Sequence, residues 1–123
     1  KEASGEQLVC ALLYAGAGSY IEFIVDLPTA GTYHLDGTIA MGGACSVFVD
    51  DVKNDAAQAD AGYPMKRICT LEPSKKLTDV SIGEIHFDQP GLKIIRFATE
   101  KKQEVKFDRL RLLKQGKLIF QKR

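Results

Sequence analysis

The side chains that most readily do acid–base or metal chemistry near neutral pH in this 123-residue chain are two histidines, three cysteines and sixteen carboxylates. His34 and His86 each sit inside a strand-like alternation and far from a Ser or Cys in any nucleophile motif, so both read as strand-surface histidines. Cys10, Cys45 and Cys69 are odd in number and widely spaced, which is no disulfide framework, although one bridge stays open. They form no CxxC pair or Cys/His cluster for zinc. Each lies in an apolar run, where a thiol serves as a small core residue. Asp50-Asp51, with Asp55 and Asp60, is the stretch most like a calcium loop, but it lacks the glycine and terminal glutamate of an EF-hand. No carboxylate pair stands out by context. The partners of a two-carboxylate glycosidase meet only in the fold, and a chain this short has little room for a deep cleft. A small enzyme is therefore the third choice among the functions considered. No Gly-rich phosphate loop opens a helix, because no helix is evident.

Charge narrows the partners. Residues 1–100 hold eight Lys/Arg against fourteen Asp/Glu, while residues 101–123 hold nine against Glu104 and Asp108. The basic end could meet an anionic partner, but the better reading is a solvated strand face that neutralises the acidic body. Nucleic acid is disfavoured, since no RNP-like aromatic motif or basic groove pattern accompanies the charge. No apolar run approaches the roughly 20 residues of a membrane helix, so no membrane span is expected. No charged-then-apolar leader is visible, as would also hold for a secreted chain whose leader had been removed.

The elements that must position these side chains have a period of two. Apolar residues make up 45% of the chain, enough for one core in one domain spanning residues 1–123. Leu8–Leu13 is a short apolar run. In "GSYIEFIVDLPTAGTYHLDGTIA", Gly18 to Ala40, two alternating strands flank Pro28-Thr29-Ala30-Gly31 and read as a hairpin. Cys45–Asp50, Arg67–Leu71, Val80–Phe87, Leu92–Ala98, Glu104–Leu113 and Lys117–Gln121 complete the strands. Asp55–Gly62 reads as a loop and Pro73–Lys76 as a break. Gly83 marks a bulge. Val105 and Phe107 share one parity, Leu110 and Leu112 the other. One extra residue at Asp108-Arg109 accounts for the switch, either as a plain structural bulge or as one that re-aims the aspartate. Short strands with turn signals and no sustained helical period predict an all-β antiparallel sandwich.

Four stretches in order then carry a resemblance. "GSYIEFIVDLPTAGTY", "SVFVDDVK", "FDQPGLKIIRF" and "VKFDRLRL" are similar to the signature, the Val-Asp hairpin, the Gly-containing strand and the closing strand of family 6 and family 35 carbohydrate-binding modules. The likeness runs from about Ser4 to Leu113. It implies a jelly-roll sandwich of the galactose-binding-like type, possessed by non-catalytic modules of secreted, periplasmic or cell-surface proteins. Such a domain can be one module of a larger protein. The partners implied are an oligo- or polysaccharide and the catalytic domain of a parent glycoside hydrolase. The runner-up is a structural sandwich packed against such a catalytic domain without binding sugar.

The resemblance also implies a loop-edge site. Tyr14, six before Tyr20, takes the position of the first stacking aromatic and Tyr63 that of the second. Either is otherwise a plain loop residue. Tyr20 and Tyr33 read as packing residues by alternation. Lys106 stands where the families carry an amide. An ammonium donates but cannot accept, so Lys106 favours an acidic glycan if it faces the ligand, and does nothing if it points to water. Trp, the usual stacking residue, is absent. Asp108 takes the position of a structural-calcium ligand, but the Glu-x-Glu partners are unrecognisable in "KEASGEQ". No cofactor is expected, and a fold independent of calcium is.

Overall fold

A computed structural model of the chain describes residues 8–11, 13–15, 18–53, 56–59, 63–99, 104–115 and 117–122, with side chains from Tyr20 onward except at 104–106 and 122. The described residues form ten strands: β1 (Leu8–Ala11), β2 (Leu13–Ala15), β3 (Gly18–Leu27), β4 (Gly31–Met41), β5 (Cys45–Asp51), β6 (Lys66–Leu71), β7 (Ser74–Phe87), β8 (Gly91–Thr99), β9 (Glu104–Lys114) and β10 (Lys117–Lys122). The helical content of the described residues is one 3₁₀ turn, Ala56–Ala59, inside the expected loop. No helix among them is long and apolar enough to cross a membrane.

The strands form two antiparallel sheets, the β-sandwich that alternation predicts. The first runs β1-β9-β4-β7, with β10 beside the second half of β9; the second runs β2-β3-β8-β5-β6. The expected hairpin at Pro28–Gly31 is not one. β3 pairs with β2 and β8, whereas β4 pairs with β7 and β9, so the turn carries the chain from one sheet to the other. Inward alternation is the same for strands that pair and for strands that face each other, so the pattern alone does not separate the two cases. The turn is fastened by Tyr33, whose hydroxyl donates to Thr29 O at 2.6 Å, and by Lys114 Nζ, which donates to Ala30 O at 2.7 Å. Gln89-Pro90 makes the same passage between β7 and β8. Pro73–Lys76, expected as a break, is largely strand: β7 starts at Ser74, opposite Met41.

The core lies between the sheets. Phe23, Phe97 and Phe107 meet edge to face, with centroids 5.0 to 6.0 Å apart. Each such pair contributes about 0.5–1.5 kcal/mol beyond the area it buries. Tyr33, Leu35 and Ile39 on β4 and Leu110 and Leu112 on β9 fill the first sheet's inner face, as their parity requires. Tyr20 and Tyr33 are both buried, as packing residues should be. Cys45 is fully buried and Cys69 partly so; among the described residues both thiols are free.

Candidate functional site

Two bulges beside β4 shape the outer face of the first sheet. In β9, Thr38 stands opposite Arg109 but Ile39 opposite Phe107, so Asp108 is the extra residue that the parity break predicts. Its side chain is half-buried. Without it, Arg109 and Arg111 would share the inward face of Phe107, since a one-residue slip reverses every side chain beyond it. With it, Leu110 and Leu112 enter the core and both arginines turn outward. In β7, Leu35 stands opposite Gly83 but Asp36 opposite Ser81, leaving Ile82 as the extra residue. Gly83 adopts φ +146°, a backbone that side-chain-bearing residues rarely take. This second bulge keeps Ile82 and Ile85 inward and turns Glu84 and His86 outward.

Between the bulges the outward side chains of β4 face those of its neighbours and form a charged ladder across three strands. Arg111 donates to Asp36 through both arms of its fork, Nε to Oδ1 at 2.9 Å and Nη2 to Oδ2 at 2.8 Å. His34 Nδ1 lies 3.0 Å from Glu84 Oε2 and its Nε2 lies 3.3 Å from Ser81 Oγ and 3.8 Å from Asp36 Oδ2. Thr38 donates to Asp79 Oδ1 at 2.6 Å. Arg109 Nη2 approaches the same oxygen only to 3.8 Å. The hydrogen bonds from Arg111 hold the Asp36 carboxyl below its usual range against the opposing effect of burial, with the charges of Arg111, His34 and Arg109 adding to the shift. The same bonds raise Arg111. A charge-assisted bidentate pair of this kind is directional and costs little reorganisation.

The ladder borders a shallow depression of about 200 Å³, lined by Asp36, Gly37, Asp79, Val80, Ser81, Arg109 and Arg111. It is smaller than the roughly 300–1,000 Å³ of clefts that enclose drug-sized ligands, and suits one small polar unit. Its rim mixes fixed donors and acceptors, the combination that adjacent hydroxyls need. A second hollow of about 240 Å³ lies at one end of the sandwich, between Asp50, Lys66, His86 and Lys93. Lys93 there is buried and bound to Asp51 Oδ1 at 2.5 Å.

The sequence-predicted site residues are spread out. The backbone of Tyr14 pairs with Ser19, in the row of Thr99 and Cys45. Lys106 pairs with Val9 and Ala40, towards the same end of the sandwich. The side chains of both lie outside the described residues. Tyr63 is half-buried, and Lys53 Nζ donates to its hydroxyl at 3.2 Å. Lys53 follows Asp51, which faces Lys93. From Thr99 to Lys93 is roughly 20 Å of extended strand, so the backbone sets Tyr14 and Tyr63 at opposite ends of the second sheet. Asp108, the candidate metal ligand, sits on the β9 bulge. Among the described residues no three His, Cys, Asp or Glu side chains stand close enough for a metal, and "KEASGEQ" lies outside the described residues. His34 and His86 are strand-surface residues as expected. Asp36 and Arg111 were not singled out from the sequence. The parity break at Asp108 carried the signal for the outward arginines, but their partner on β4 depends on register.

No protein-family model and no curated protein sequence matches the chain. Solved structures do. Two are mutants of a family 29 carbohydrate-binding module, made to probe its ligand recognition. Each is 17% identical with a TM-score of 0.51; they align with 95% of this chain and with 89% and 88% of theirs. Another mutant module of family 29 is 16% identical with a TM-score of 0.50, covering 93% of this chain and 84% of its own. At this identity the likeness establishes the jelly-roll sandwich fold. It supports the resemblance to carbohydrate-binding modules at the level of fold, and not the assignment to families 6 and 35.

Proposed function

We propose that this chain is a non-catalytic glycan-binding module, and that its ligand lies on the outer face of the first sheet. The observation that carries the reading is the ladder Glu84–His34–Asp36–Arg111 beside an open depression, with donors and acceptors fixed before any ligand arrives. The fold, shared with modules described as carbohydrate-binding, favours sugar over other small polar ligands. The depression offers no aromatic platform among its described residues, so affinity rests on hydrogen bonds and is weak, each contributing a net 0.5–1.5 kcal/mol or about that. In this reading the module is secreted or surface-borne and delivers a glycoside hydrolase domain to its polysaccharide.

A glycan array followed by titration calorimetry tests this. The expected result is binding to a polysaccharide or oligosaccharide that is lost in Asp36→Ala and Arg111→Ala and retained in Tyr63→Ala. Silence across a broad array would leave the structural-sandwich alternative. Loss in Tyr63→Ala with binding kept in Asp36→Ala would move the site to the loops.

A further inference from the structure

Resting on that reading, we infer that the site selects an acidic sugar, a uronate, and that Arg109 is the residue that reads the carboxylate. Of the charged side chains lining the depression, Asp36 and Arg111 neutralise each other through two hydrogen bonds. His34, beside them, has both ring nitrogens engaged by Glu84 and Ser81. Arg109 is different. Its nearest described carboxylate, Asp79, stands 3.8 Å away, beyond hydrogen-bond reach, and takes its hydrogen bond from Thr38 instead. Arg109 Nε is covered and, among the described residues, donates to nothing. A covered donor without an acceptor costs about 1–3 kcal/mol. A third of the Arg109 side chain is nonetheless open to the depression.

A guanidinium so placed is a cation awaiting a planar, two-oxygen acceptor. The carboxylate of a uronate supplies both oxygens in the geometry of the fork, while a neutral sugar offers single hydroxyl oxygens without charge. Asp79 opposes the entry of a second carboxylate, but its side chain is 80% exposed and can yield. It therefore acts as a weak competitor for Arg109. The β9 bulge is what makes the arrangement, because it turns Arg109 from the core to this face.

The experiment is titration calorimetry with trigalacturonate and galactotriose on the parent, Arg109→Ala, Arg109→Lys and Asp79→Asn, with melting curves to establish folding. Parent protein should prefer trigalacturonate, with a preference that shrinks as salt rises. Arg109→Ala should lose about tenfold or more for the acidic ligand and little for the neutral one. Arg109→Lys, which keeps the charge without the fork, should recover only part of it. Asp79→Asn should bind trigalacturonate more tightly, which no purely structural role for Asp79 would produce. Equal affinity for both ligands, or an unchanged preference in Arg109→Ala, would overturn the assignment of Arg109 and leave glycan binding standing. Binding of neither, with a silent array, would overturn the glycan reading itself.

Discussion

Replacing Gly37 with alanine tests the link between the β9 bulge and the site. Gly37 lies on β4 opposite Leu110, next to the point where the register skips Asp108. Its backbone is not in a glycine-only conformation, so an added methyl meets only steric resistance. The new Cβ would stand 2.8 Å from Arg109 O and 3.4 Å from two atoms of Ile39. The second contact is tight but lies at a flexible side chain. The first is with a backbone carbonyl held in the bulge, which must retreat by a few tenths of an ångström. Forcing an extra methyl into packed structure costs about 1–3 kcal/mol. Alanine returns about 0.4–1 kcal/mol by restricting the unfolded chain. The expected net loss is about 1–2 kcal/mol, which for a domain of this size lowers the melting temperature by about 3–10 °C. Urea denaturation should give a lower midpoint with an unchanged slope. Adding Ile39→Val should not restore stability, because the limiting contact is with backbone. Ligand affinity should fall too, since Arg109 moves with its carbonyl. A variant that melts at or above the parent temperature would refute the reasoning.

Three further outcomes are expected. Asp36→Asn should cost about 1–2 kcal/mol near neutral pH by weakening the bidentate bond with Arg111. Because the folded state lowers the Asp36 carboxyl below its ordinary 3.8, its contribution is full above that pH and is lost as pH falls below it; the gap between parent and variant should therefore close in acid, as read from urea midpoints across pH. Burial pushes the Cys45 thiol up to about 12, so in native protein at pH 8 it should stay unlabelled by a thiol-exchange reagent and react once urea unfolds the chain, while partly buried Cys69 reacts slowly. The melting temperature should not change in EDTA; a fall of several degrees would mean that a bound ion, with Asp108 as a candidate ligand, stabilises the fold.

Much of the fold was legible because period-two alternation is a local property. The inward set Tyr33, Leu35 and Ile39 is buried as its spacing requires. The bulge at Asp108 was legible for the same reason: Phe107 and Leu110 cannot both face a core along an unbroken strand. Pairing was not legible. The segment around Pro28–Gly31 reads as a hairpin, yet it joins two sheets, and nothing in either strand's alternation distinguishes a neighbour beside it from one across the core. The site suffers the same limit. Asp36 meets Arg111 across 75 positions of sequence, and a shift of one pair in register would part them. The aromatic positions taken from the family resemblance rest on loop lengths, which vary most between related sandwiches.

The two outer faces of the sandwich hold their charged side chains differently. On the second sheet, the Ala56–Ala59 turn between β5 and β6 lies over the strands. Arg96, only 1% exposed, donates through Nε to Glu22 Oε2 at 2.7 Å and through Nη2 to Gln58 O at 2.6 Å, with its guanidinium 4.3 Å from the Tyr20 ring centroid. The Tyr20 hydroxyl donates to Ala59 O. Gln58 in turn accepts from Lys53 N and donates to Asp51 O, closing the connection on itself. Removing Glu22, itself only partly buried, is costly because the buried Arg96 charge stays behind; the figure is about 3–5 kcal/mol for a fully buried pair and less here. A ligand reaching that part of the face would first have to lift a segment held by these bonds. On the first sheet Asp36 and Arg111, both partly exposed, pair across strands of the sheet itself, and the register that satisfies the core also spaces them. A ligand at the proposed site would need no loop to order and would expose no fully buried charge.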